Sequence, residues 1–290
     1  MEGRRGVADE SGRMAGRVCV VTGASAGIGR ATALALARMG ARVAMVSRSR
    51  ERGEAARAEV ARGSGGAAVD LFLADLSSQA EVRRLAAEIR GRYGRLDVLV
   101  NDAAVYSRRR TLSPDGIEMQ LAVNHLAPFL LTGLLLGLLE RSAPARVVTV
   151  SSEAHRGMPL EWDNLQGERR YRGLRAYRTA KLANLLFTRE LARRTAGTGI
   201  SANAAHPGVV GTELLFGGWG PLRLFRRFMR TPEEGARVVV RLASAPELEG
   251  VTGRYFRDEG EIRPSGAALD DDAARRLWRI SEELTGMRRE

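Results

Sequence analysis

Tyr177 and Lys181 stand four residues apart in Tyr-Arg-Thr-Ala-Lys, the spacing that puts two side chains on one face of a helix. A free phenol, with a pKa of about 10, is a poor base at neutral pH. An ammonium held beside it favours the phenolate and brings the hydroxyl toward the range where it can give or take a proton. Composition sharpens the pair, because Lys181 is the single lysine in a chain with 46 basic residues. Arginine's broad and permanently charged fork does not replace a compact ammonium at such a site. Upstream, Val148-Thr149-Val150-Ser151-Ser152 reads as a strand ending in two hydroxyls, at the edge where open α/β sheets bind ligands.

A second chemical signal lies near the N-terminus, in Thr22-Gly23-Ala24-Ser25-Ala26-Gly27-Ile28-Gly29. It sits between a short apolar run and a helical pattern. Glycines there permit a tight turn and close approach of backbone to a pyrophosphate, and the helix start offers free N–H groups with partial positive charge.

The elements that must position these groups follow from periodicity. Short β-branched runs at 17–22, 42–47, 67–73, 96–100, 146–150, 200–204 and around 253–256 alternate with helical patterns at 29–39, 78–90, 114–139 and 176–194. The runs are almost continuously apolar, as strands covered on both faces are. The pattern predicts an α/β fold with a doubly wound (Rossmann), mostly parallel seven-stranded sheet and helices on both faces. We expect a flexible segment over 1–14 and a single domain over 15–290, with substrate loops near 153–175 and 213–231.

Composition narrows the classes. Apolar residues at 44% and charged residues at 28% are globular values, which exclude collagen-like, disordered and disulfide-scaffold chains. One cysteine, Cys19, allows no disulfide within the chain and points to a reducing compartment. The apolar stretch 126–139 falls short of the roughly 20 residues a membrane helix needs and reads as a buried helix. The polar N-terminus resembles neither a signal peptide nor an anchor, so a soluble, cytoplasmic protein is expected. The net charge of +12 is spread along the chain without an aromatic-rich basic stripe, an argument against nucleic acid and for a solvated surface attractive to phosphorylated ligands. No metal site is expected.

From the glycine turn onward the chain resembles the short-chain dehydrogenase/reductase family, whose pattern is Thr-Gly-x-x-x-Gly-x-Gly, and the resemblance runs over almost the whole length. It implies catalytic roles for Asn124, Ser152, Tyr177 and Lys181: Ser152 holding the substrate oxygen, Asn124 holding a water of a proton relay. It implies a dinucleotide bound by Gly23, Ser25, Gly27, Ile28 and Gly29, with Asp75 and Leu76 at the adenine and Asn101 near the ribose. Pro207 and Gly208 would line the nicotinamide, Val210 would bond its carboxamide through the backbone, Thr212 would reach the cofactor phosphate, and Tyr177 and Lys181 also touch the cofactor. Where the family has Asn-Asn-Ala-Gly, this chain has Asn101-Asp102-Ala103-Ala104. His125, beside Asn124, reads as a packing residue.

The second strand ends in Ser47-Arg48-Ser49-Arg50, with no acid where NAD-selective folds place one for the ribose 2′-hydroxyl. Arg48 can instead meet a 2′-phosphate with paired hydrogen bonds, so NADP(H) is expected over NAD(H). Runs such as Ala154-His155-Arg156-Gly157 and His206-Pro207-Gly208-Val209-Val210 are similar to the retinol dehydrogenase and WW-domain oxidoreductase branch. The segment 214–230 interleaves apolar residues with four arginines; it reads as a lid over an apolar substrate, a surface helix touching a membrane, or a helix packed on its own domain. The expected activity is NADP-dependent interconversion of an alcohol and a carbonyl on a small to medium, apolar substrate. A biosynthetic isomerase, epimerase or cyclase with no net redox change and a dinucleotide-sensing protein without turnover stay open, as does a homodimer or homotetramer.

Overall fold

The β-branched runs at 17–22, 42–47, 96–100, 146–150 and 200–204 form strands that are almost wholly buried, because helices cover both faces of the sheet they build, while the run at 67–73 forms a half-buried strand at its edge. The structure is a computed structural model that describes residues 12–211 and 229–287. In chain order the main elements are β1 (Val18–Thr22), α1 (Gly27–Arg38), β2 (Arg42–Ser47), α2 (Arg50–Gly63), β3 (Val69–Leu73), α3 (Gln79–Arg92) and β4 (Val98–Asn101). Then come α4 (Met119–Leu121), a π turn (Ala122–Leu126), α5 (Ala127–Arg141), β5 (Ala145–Val150), a 3-10 turn (Glu153–His155), α6 (Gly173–Arg194) and β6 (Ile200–His206). After the segment outside the described residues follow α7 (Pro232–Ser244), β7 (Tyr255–Arg257), β8 (Gly260–Glu261) and α8 (Asp271–Thr285).

The strands form one sheet in the order β3-β2-β1-β4-β5-β6-β7-β8. All neighbours pair in parallel except β7 with β8. The eighth strand departs from the expected seven: two exposed residues, one of them glycine, carry no periodic signal. Alternate strand residues feed two core layers. Cys19, Val21, Val43, Met45 and Val148 pack under Leu36 of α1, Val60 of α2 and Val239 of α7. Val20, Val46, Leu99 and Val147 pack on Leu85 of α3, Leu135 of α5 and Phe187 of α6.

The continuous helix expected over 114–139 begins instead at Met119 and carries the π turn. Residues 111–119 close a turn, with the Ser113 N–H donating to Ile117 O and the Met119 N–H to Thr111 O. The run Met119–Arg141 is long and apolar enough to cross a bilayer, but 78% of its most apolar window is buried in the protein, as in a core helix.

Candidate functional site

The strand order reverses between β1 and β4, and the crevice at their C-terminal ends is where a doubly wound sheet binds its ligand. The turn from β1 into α1 is held there by close packing. Gly23 has φ +68°, and a Cβ on it would lie 2.9 Å from Ala103 Cα. A Cβ on Gly29 would lie 2.6 Å from Gly23 O and 2.8 Å from Asp102 Oδ2, so only glycine fits either position. Thr22 Oγ1 accepts from the N–H groups of Asp102 (3.0 Å) and Ala103 (3.1 Å), which pins the two strand ends together.

The N-terminus of α1 has no side-chain cap at Ala26 and no acid in its own first turn. By contrast α2, α3, α7 and α8 are capped by Ser49, Ser78, Thr231 and Asp270. The first-turn N–H groups of α1 thus face the crevice without a cap from their own segment, as an anion site requires. Ser25 and Gly27 are half-buried in this turn. Ile28 meets Pro207 and Val210 around Gly235 of α7, where a Cβ would lie 2.6 Å from Val210 Cγ2 and 3.3 Å from Ile28 Cγ1. Two segments about 180 residues apart in the chain therefore share one wall. Gly208 has φ +83°. Thr212 and most of the expected loop 213–231 lie outside the described residues, as do residues 1–11.

Arg48 is exposed at the end of β2. Asp75 folds back, its Oδ1 accepting from the Ser77 N–H at 2.9 Å, while Ser78 caps α3; Leu76 is half-buried beside it. Asn101 is turned into the protein, its Nδ2 donating to Thr132 Oγ1 of α5 at 3.1 Å.

The chemistry-bearing groups meet between β5 and α6. Lys181 is 3% exposed; its Nζ donates to Val150 O at 2.9 Å and lies 5.6 Å from the centroid of the Tyr177 ring. Burial pushes the Lys181 ammonium down to about 8, against the pull of the Asp102 carboxylate, and pushes the Tyr177 phenol up to about 12, a direction Asp102 reinforces and the opposite of the lowering expected from the ammonium beside it, because desolvation dominates. Ser151 is spent on structure, its Oγ donating to Lys181 O at 2.7 Å. Ser152 is half-buried, and its Oγ accepts from the Ala154 N–H at 3.2 Å. Asn124 sits in the π turn with its Oδ1 accepting from the Val105 N–H (2.7 Å) and its Nδ2 donating to Val105 O (2.9 Å). His125 packs edge-on to Phe187 and meets Ser281 Oγ at 2.9 Å, in keeping with its reading as a packing residue.

Three further residues border the site, and pattern reading assigned none of them a role. Tyr106, from the loop after β4, meets the Tyr177 ring edge-on at 6.0 Å. Asp102 is half-buried, and desolvation raises its carboxyl to about 7 although Lys181 and the Gly29 N–H favour the charged form. His155 is fully buried, with Nδ1 2.7 Å from Ser152 O and Nε2 accepting from the Ser265 N–H at 3.1 Å. The departure at Asp102 and the Ala-His-Arg-Gly run were visible signals; Tyr106 had none. The expected loop 153–175 is tied down at Tyr171, whose hydroxyl accepts from Gln120 Nε2 (2.8 Å) and lies 3.0 Å from Glu118 Oε1.

A parallel sheet that reverses direction beside an uncapped helix terminus is the architecture of the dinucleotide-binding α/β proteins. Within that class the chain belongs to the short chain dehydrogenase family, whose model matches residues 17–216. It is similar to retinol dehydrogenase 14 of Homo sapiens, 44% identical over 98% of this chain and 90% of that protein. It is likewise similar to dehydrogenase/reductase SDR family member 13 of Bos taurus, 45% identical over 94% of this chain and 74% of the relative. A solved structure from Mycobacterium paratuberculosis superposes with a TM-score of 0.79 at 35% identity, over 94% of this chain and 95% of the other. The chain is thus a retinol dehydrogenase-like member of an oxidoreductase family.

Proposed function

We propose that the protein interconverts an alcohol and a carbonyl on a small to medium, apolar substrate, with NADP(H) preferred over NAD(H). The observation that carries this reading is the buried Lys181 ammonium set beside the Tyr177 ring and bonded to the last carbonyl of β5, two residues before Ser152. The crevice fits a dinucleotide because glycine leaves room at Gly23 and Gly29 where a Cβ would collide, and because the first-turn N–H groups of α1 suit a diphosphate. Gly23, Ser25, Gly27, Ile28 and Gly29 would hold that diphosphate, Arg48 a 2′-phosphate, and Asp75 and Leu76 the adenine. Asn101 braces the strand end nearest the ribose, Thr212 would reach the cofactor phosphate, and Pro207, Gly208 and Val210 would border the nicotinamide, which supplies hydride exchange when bound.

The chain's own residues manage the oxygen. The Tyr177 phenol, its pKa raised by burial, keeps its proton at neutral pH and can donate it to a carbonyl oxygen. Lys181 steadies the phenolate that remains, and the Ser152 hydroxyl donates a hydrogen bond to the charge developing on that oxygen. Asn124, in the π turn, supports the relay that returns a proton to Tyr177. We read 15–290 as one dehydrogenase domain whose segments 153–175 and 213–231 shape the substrate side. A cytoplasmic setting fits the single buried cysteine.

The test is NADPH oxidation by the purified protein across aldehydes and ketones of graded size and polarity, with a matched NADH series. Tyr177→Phe should lower kcat by about 10²- to 10⁴-fold while dinucleotide binding persists; undiminished turnover in that variant overturns the reading. Arg48→Ser should raise the KM for NADPH roughly tenfold and leave that for NADH unchanged, since only the former carries the phosphate that a guanidinium fork binds.

A further inference from the structure

The crevice holds one ionisable group that neither proton transfer nor ligand binding above makes use of. The Asp102 carboxylate follows β4 and lies against the first turn of α1, with its Oδ2 2.8 Å from where a Cβ of Gly29 would be and with the Gly29 N–H steadying its charged form. Its backbone is fixed by the bond from its N–H to Thr22 Oγ1 at the end of β1, so the carboxylate cannot swing far from α1. The helix terminus that lacks an acid of its own therefore receives one from the neighbouring strand.

We propose that Asp102 sets the affinity of the crevice for a dinucleotide: its carboxylate and the ligand's diphosphate draw on the same helix terminus, so binding is coupled to uptake of one proton by Asp102. This rests on the reading of the crevice as a dinucleotide site. Two anions in one low-dielectric cleft repel, and the repulsion is relieved when the weaker acid is protonated. Of the two, the diphosphate stays ionised throughout the neutral range. Asp102, with its pKa raised by desolvation to about 7, is the group that yields.

The charged and titratable groups facing Asp102 come from α6: the Lys181 ammonium, which favours its ionised form, and the Tyr177 phenol. From α1 and β1 it meets the Gly29 N–H and the Thr22 hydroxyl, neither of which titrates in this range. The charged side chain in the first turn of α1, Arg30, is paired with Glu59 at 2.7 Å. Lys181, lowered to about 8, is still mostly protonated at pH 7.5, so between pH 5.5 and 7.5 Asp102 is the member of the group whose charge changes most.

Calorimetric titration of the full chain with NADH tests the coupling without the separate titration of a 2′-phosphate. At pH 7.0, in two buffers of different ionisation enthalpy, the wild type should take up about half a proton on binding and Asp102→Asn close to none. Asn keeps an oxygen for the Gly29 N–H and removes the charge. From pH 5.5 to 7.5 the wild-type affinity should fall about threefold to fourfold, while that of Asp102→Asn changes much less. A wild type that binds without proton uptake, or a variant with the same uptake and the same pH profile, overturns the proposal; the first of these outcomes is decisive even if the variant does not fold. Failure of both NADH and NADPH to bind at any of these pH values would sink the dinucleotide reading itself, and this proposal with it.

Discussion

Lys181 shows how much one residue can carry when its surroundings are known. Its ammonium is buried, donates to the carbonyl that ends β5, and lies over the ring of Tyr177, all from one turn of α6. The same strand end is held from the other side by His155, which touches no reacting group and so acts through Ser152. Its hydrogen bonds fix the tautomer: Nδ1 carries the proton and donates to Ser152 O, leaving Nε2 bare to accept the Ser265 N–H. Burial lowers the pKa of this imidazole, which keeps it neutral at physiological pH and preserves that arrangement. His155→Phe keeps an aromatic ring against Tyr255, now 5.5 Å from the imidazole, but loses both hydrogen bonds. It should lower kcat about tenfold with the dinucleotide dissociation constant unchanged, because a small displacement of Ser152 acts on the oxygen and not on the α1 turn. His155→Asn, whose amide N–H can stand in for Nδ1–H, should recover most of that loss. Equal losses in both variants, or a change in dinucleotide binding as large as that in kcat, would show a purely structural role.

At the scale of elements, strands were legible and interruptions were not. β1, β2, β5 and β6 read correctly to within two residues because burial on both faces makes each a dense apolar run. The π turn at Ala122–Leu126 was invisible, since hydrophobic periodicity averages over two or more turns and one inserted residue hardly changes it. Its cause is tertiary: Asn124 grips both sides of the Val105 peptide from a loop 19 residues earlier. The start of α6 was placed three residues late for a similar reason. Gly173 is a poor helix former, yet a Cβ there would sit 2.2 Å from Ser107 O, so the contact with the 105–110 loop selects glycine against its propensity. Site positions followed the same rule. Tyr177 and Lys181 lie four apart within one helix and were readable from spacing, whereas the Asp102–Gly29 contact joins segments more than 70 residues apart and emerged only with the fold.

Across the described residues, a share of the many arginines is tied to the fold through ion pairs. Arg17 and Arg95 both bind the buried Asp97, Arg42 and Arg92 bind Asp70, and Arg193 and Arg194 share Glu190. Asp70 and Asp97 tie separate elements, whereas Glu190 pairs within α6; Asp97 also accepts the Val18 N–H at 2.8 Å, anchoring the start of β1 beside β4. Burial alone would raise their pKa values, but hydrogen bonds from arginine, from Tyr93 at Asp70 and from the Val18 N–H at Asp97 outweigh it and hold all three below the ordinary range. A carboxylate with a depressed folded-state pKa binds protons more readily when unfolded, so its stabilising contribution is complete above about pH 4 and is lost as pH falls through the folded value. Over the same interval the 34 acidic residues lose their charge and leave 46 basic ones uncompensated, which adds repulsion. Acid unfolding followed by far-ultraviolet circular dichroism should therefore fall between about pH 4 and pH 2. Raising the salt from about 0.05 to about 0.5 M should move it to lower pH, because screening weakens the net repulsion across the molecule more than it weakens short contacts to a buried carboxylate such as Asp97. Asp97→Asn should be less stable than the wild type at pH 7, with the difference shrinking as pH drops below 4 and the wild-type carboxylate takes up its own proton. A difference that stays constant down to pH 2 would mean that Asp97 contributes through shape and its bond to Val18, and that its charge has no part in stability.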